Sequence, residues 1–166
     1  MAKSRLLSNL FLPELGMGAG YFMLGFRALA RGAGGCCTLR RTFRDGFGHA
    51  SGDVLAGLAE LVSALGWEGR RKVTLSAPGS ARITPDELTL VCTLAAALRG
   101  DVPTMSSHLE WLFGRPPSNE VIEIMERLGH HFRNAELLVI ECEITRSAAR
   151  KPATRSLGLV QSSALH

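Results

Sequence analysis

Tyrosine occurs once in 166 residues and aromatic side chains make up 6% of the chain. No helix-turn-helix or RNA-module signature accompanies them, which argues against the common nucleic-acid-binding folds. Four cysteines, Cys36, Cys37, Cys92 and Cys142, lack metal-ligand spacing. Neighbouring Cys36 and Cys37 do not easily face one site, and Cys92 falls inside an apolar pattern, so buried reduced thiols are expected. Long apolar runs are missing too. The uncharged stretch 15–26 is too short for a bilayer, and MAKSRLLSNLFLP has no clean cleavage site to make a signal peptide. No fixed-period repeat appears, which excludes a solenoid. The expectation is a cytoplasmic protein without a transmembrane segment.

Charge of one sign is missing only at the end. Of nineteen Lys and Arg, four (Arg146, Arg150, Lys151 and Arg155) lie in residues 146–166, which hold no acid; the remaining fifteen match fifteen Asp and Glu. The formal charge of +4 therefore belongs to the tail. Residues 1–145 read as one domain and 146–166 as a basic, disordered tail.

What is present is helical punctuation. Thr84-Pro85-Asp86-Glu87 combines a capping hydroxyl, a proline at the first helical position and a glutamate placed to reach back. Leu88, Val91, Leu94, Ala95 and Leu98 then recur at helical spacing until Gly100. Similar patterns predict helices over 21–30 and 38–45, from Ser51 to Leu65 (Trp67 packing over its end), over 101–113, and from Ser118 or Asn119 to Arg133. Residues 1–15 allow a turn or two of helix ended by Pro13. Val73 and Leu75 alternate with polar residues as in a strand, whose one candidate partner, 137–144, reads equally as strand or helix. The fold expected is mainly α: a compact orthogonal domain of five to seven short helices, with room for a minor two-stranded element.

Ala77-Pro78 followed by Arg82-Ile83-Thr84-Pro85-Asp86-Glu87, the Arg31-Gly32 stop and the helix from Leu58 to Leu65 carry a resemblance. Over about residues 27–130 the chain resembles a bacterial family of small proteins of unknown function. Members of that family often place cysteines between the Ala-Pro and the Arg, where Gly79, Ser80 and Ala81 stand here. The resemblance implies a compact helical domain and no activity.

Candidate chemistry is thin. Gly16, Gly18 and Gly20 have neither a preceding strand nor the spacing of a phosphate loop, so a close helix contact or a hinge is favoured. His130, His131, Glu141 and Cys142 suggest a metal site, but adjacent helical histidines point about 100° apart and closed zinc sites need four convergent ligands. Ser76 and Ser80 have no nucleophile elbow around them. No catalytic, cofactor or metal residue is assigned.

Three candidate sets remain. Phe11, Met17, Tyr21, Phe22, Met23 and Phe26 make the first part of the chain apolar enough to need a partner or a core of its own. The expected role is therefore non-catalytic: binding another protein, or a second copy, so as to regulate or scaffold it. Cys36 or Cys37, near cations and His49, is the candidate reactive thiol of a small enzyme or redox protein. Arg40, Arg41, Arg44, Arg70, Arg71 and Lys72, with the tail, are the candidate anion-binding set of a nucleic-acid binder.

Overall fold

The computed structural model describes residues 10–140. Six α-helices follow one another among them: α1 (Met17–Ala30), α2 (Cys37–Phe47), α3 (Ser51–Glu68), α4 (Pro85–Arg99), α5 (Val102–Phe113) and α6 (Asn119–Asn134). The protein is a mainly α domain, as the punctuation predicts.

Helix α4 is its centre. Every residue from Asp86 to Ala97 except Thr89 is buried, so the helix meets protein almost all round, with α5 and α6 as its main neighbours. Its start is built as read. The Thr84 hydroxyl accepts the Glu87 N–H at 3.1 Å, and the Glu87 carboxylate accepts the Thr84 N–H at 2.9 Å. At the other end Gly100 takes the left-handed conformation, φ 70°. The caps of α5 and α6 also follow the sequence: Asp101 accepts from Thr104 N–H, and Ser118 from Val121 N–H. The apolar stripe of α6 (Val121, Met125, Leu128 and Phe132) is fully inside.

Helices α1, α2 and α6 share an aromatic cluster. Phe22 meets Phe132 at 6.1 Å between centroids, Phe47 meets Phe132 at 4.8 Å, and Tyr21 lies edge-on to Phe43 and Phe47. Offset and edge-to-face rings at such separations add to the burial itself.

Several expectations need correction. Helix α1 begins at Met17, four residues before Tyr21, because Gly16 ends a 3-10 turn (Leu12–Leu15) that Pro13 helps to start rather than to end. Ser51 is the first residue of α3 and not its cap; a 3-10 turn (Gly48–Ala50) runs straight into the helix. Trp67 packs over nothing and is 89% exposed. Cys36 and Cys37 are exposed, whereas Cys92 is buried as read; Cys142 lies outside the described residues.

No strand forms among the described residues; one antiparallel bridge joins Phe11 to Arg82. The alternating stretch at Val73 is neither helix nor strand, and it pairs with side chains instead of a neighbouring strand. Asp86 accepts Thr74 N–H at 2.6 Å and Glu87 accepts Ser76 N–H at 2.9 Å. The N–H groups of Thr74 and Ser76 are thus satisfied from the first turn of α4. Residues 137–140 cross the start of α1 instead of meeting that stretch: Gly18 N–H donates to Leu138 O and Ile140 N–H to Leu15 O. A Cβ on Gly18 would lie 2.7 Å from Leu137 O, so this crossing needs glycine there. Residues 141–144 and the tail 146–166 lie outside the described residues.

Candidate functional site

The outer face of α1 is an apolar surface that this packing leaves open beside a cleft. Met17, Gly20, Leu24 and Ala28 succeed one another at intervals of three and four residues along one stripe. They floor a cleft of about 560 Å³. Leu12 and Pro13 wall it on one side, and the turn Pro78–Ala81 on the other. Met17 is 69% and Leu24 42% exposed, and a Cβ built on Gly20 would meet nothing within 4 Å. A cleft of this size with an apolar lining is of the kind that binds ligands or partner side chains.

The second wall is held by an ion pair that the sequence reading missed. Arg27, in the otherwise apolar α1, is buried, and so is Glu87. Arg27 Nε donates to Glu87 Oε1 at 2.7 Å and Nη2 to Oε2 at 3.0 Å, a two-pronged pairing. The same guanidinium donates to the carbonyls of Ser80 (2.7 Å) and Arg82 (2.9 Å). Arg31 adds a bond to Ser76 O, and Ala81 O accepts Leu12 N–H. The strap 76–84, which has no helix or strand, is thereby tied to α1 and α4. One signal was available: a single charge in a helix that is otherwise apolar must find a partner.

Burial pushes the Glu87 carboxyl up, but the Arg27 hydrogen bonds and then the Thr84 and Ser76 N–H groups outweigh it, and the group sits below its ordinary value. Each Glu87 oxygen already accepts two hydrogen bonds. Asp86 is likewise occupied, by Thr74 N–H and by Arg71 at 2.9 Å. Among the described residues every buried side-chain nitrogen and oxygen has a partner. These carboxylates hold chain in place.

The sequence-derived candidates fall apart in space. Of the apolar six, Phe22, Met23 and Phe26 are buried in the chain's own core, and half-buried Tyr21 is packed on α2. Only Met17 and Phe11, which is 40% exposed, remain accessible, joined by Leu24. The thiol of Cys36 stands at the start of α2, where the N–H groups of Leu39 and then Thr38 hold it below the ordinary thiol value.

Arg40, Arg41 and Arg44 are exposed on α2, and Arg70 and Lys72 follow α3. Arg71 is committed to Asp86 and to the ring of Trp111, 4.1 Å below its guanidinium. His130 is hydrogen-bonded to Asn134 and lies 6.0 Å from the His131 ring; Glu141 and Cys142 are outside the described residues. No group of three His, Cys, Asp or Glu that could hold a metal is found among the described residues. No helix among them is long and apolar enough to cross a membrane.

Compared with known proteins, the chain matches no family model, no curated protein and no solved structure.

Proposed function

We propose that this chain is a non-catalytic binding protein that receives an apolar helix of another protein in the cleft along α1, and so regulates or scaffolds that partner. The observation that carries this reading is the exposed stripe Met17–Gly20–Leu24–Ala28 over the open cleft. Gly20 and Ala28 let a second backbone come close, while Met17 and Leu24 offer flexible apolar contacts on either side. Three turns of floor suit a helix that presents its own residues at three- and four-residue spacing. The same reading places the chain in the cytoplasm, which the two exposed thiols, free among the described residues, suit.

The test compares the whole chain with Leu24→Glu, a change at an exposed position. Affinity purification from the native cell, read by mass spectrometry, is expected to give a stoichiometric companion for the unaltered chain and none for the variant. Equal recovery from both rejects the cleft as the binding surface. Size-exclusion with light scattering distinguishes a second copy of the chain as the occupant.

A second reading, a thiol-dependent enzyme or redox protein, has one observation behind it, the lowered and exposed thiol of Cys36. Its test is alkylation at graded pH of the unaltered chain beside Cys36→Ser and Cys37→Ser.

A further inference from the structure

The chain has two tryptophans, and both stand partly or wholly in water. Trp67 is 89% exposed in the last turn of α3; Trp111 is 48% exposed near the end of α5. These two helix ends meet. Arg70 N–H donates to Phe113 O at 2.8 Å, and Gly114 lies against the side chains of Arg70 and Arg71. Both rings therefore belong to one end of the fold, which the sequence does not reveal because 44 positions separate them.

Cations gather at the same junction. Arg70 and Lys72 are exposed and Arg115 is half-buried. Arg71, tied to Asp86, lies over the Trp111 ring, so ring and guanidinium are fixed together before any ligand arrives. Glu68 and Glu110 are the neighbouring acids along the chain. Cations at helix carboxyl ends offset the partial negative charge there, which accounts for their presence. It does not account for two indoles left in water.

The kind of partner follows from the rings and the charges beside them. Neither tryptophan lines the cleft along α1 or the one between α4 and α6; both indoles lie on open surface beside cations. Flat π faces beside cations suit unpaired nucleobases, which stack without a shaped pocket while their phosphates meet arginine or lysine. We propose that the joined ends of α3 and α5 bind single-stranded nucleic acid, bases stacking on Trp67 and Trp111 and phosphates meeting Arg70, Lys72 and Arg115. A duplex offers less, because its bases are already stacked on one another. This surface shares no residue with the α1 cleft and stands independently of it.

With two acids close by and three cations that form no ion pair among the described residues, stacking carries more of the binding than counterion release. The slope of log affinity against log salt is expected to be shallow, about −2 for three phosphate contacts.

Because both tryptophans lie in the site, tryptophan fluorescence, excited where tyrosine does not absorb, reports on it alone. Titrating the full chain with a short oligothymidylate at low salt is expected to quench that fluorescence. By anisotropy of a labelled oligothymidylate, Trp67→Ala binds about tenfold more weakly, the size of one lost stacking contact. Trp67→Phe recovers most of that affinity, and circular dichroism checks that each variant is folded. The proposal is overturned by absent quenching at low salt, or by undiminished binding in Trp67→Ala. It is equally overturned if a duplex, heparin or an acidic peptide binds as tightly as the single strand, since that would be plain attraction of polyanions.

Discussion

Arg27 and Glu87 form a pair whose two members do unequal work. Glu87 is an acceptor for two side-chain and two backbone donors, whereas Arg27 also donates to the Ser80 and Arg82 carbonyls. Arg27→Met leaves a buried carboxylate unpaired and two carbonyls without their donor, so unfolding in urea is expected to show a loss of about 3–5 kcal/mol. Replacing both residues by apolar ones does not restore stability here as it can for an isolated pair, because the Thr84 and Ser76 N–H groups lose their acceptor. Acid tests the same residue from another side. The folded Glu87 sits below its ordinary value of 4.5, so its contribution is fully present above that pH and fades as pH falls through the lower folded value. Glu87→Gln should therefore be less stable near neutrality and flatter in acid; parallel pH curves for the two proteins contradict the assignment. At Cys36 the backbone N–H groups favour the thiolate. Alkylation at graded pH is expected to show a component titrating below the ordinary thiol value, removed by Cys36→Ser and left intact by Cys37→Ser.

Among the elements, α4 was the most legible because its signals are local. A cap, a proline, a glutamate at the third position and a glycine stop each act within one turn, so chain order alone reveals them. Thr84→Ala is expected to cost somewhat more than the ordinary cap value of about 1 kcal/mol, since its hydroxyl also donates to Thr74 O at 2.6 Å. Thermal melting of Thr84→Ala beside Thr84→Ser measures the two bonds together, because serine keeps both. The helices that contact one another are not written locally. A Cβ on Gly129 would fall 2.9 Å from the backbone of Ala97, so α6 crosses α4 closely enough that even a methyl group does not fit. Gly129→Ala should destabilise by about 1–3 kcal/mol, the opposite of what helix propensity alone predicts. The stretch 72–76 misleads for the same reason. Alternation at Val73 suggested a strand, while the carboxylates that complete its hydrogen bonding come from the next helix and are invisible to a period-two count.

At the scale of the molecule, apolar residues close in the chain have opposite fates, and that division separates the fold from the binding surface. Around α1, Phe22, Met23 and Phe26 go inward to meet Phe132 and Phe47 through the aromatic cluster, and Met17 and Leu24 go outward to the cleft. Sequence density showed that the region is greasy but could not divide it, because α1 is apolar nearly all round and the positions of α2, α3, α4 and α6 choose the buried side. Stability and binding should therefore come apart under mutation. Leu58, on α3, is fully buried, and Leu58→Ala is expected to lose about 2–5 kcal/mol because a cavity replaces its side chain. Leu24→Glu changes a surface already 42% exposed and should shift stability by about 0.5 kcal/mol or less. If melting shows Leu24→Glu to be as damaging as Leu58→Ala, the outer face of α1 belongs to the fold and is no longer free to hold a partner. If Leu24→Glu melts with the unaltered chain and loses its companion, the same helix serves as core on one side and docking floor on the other.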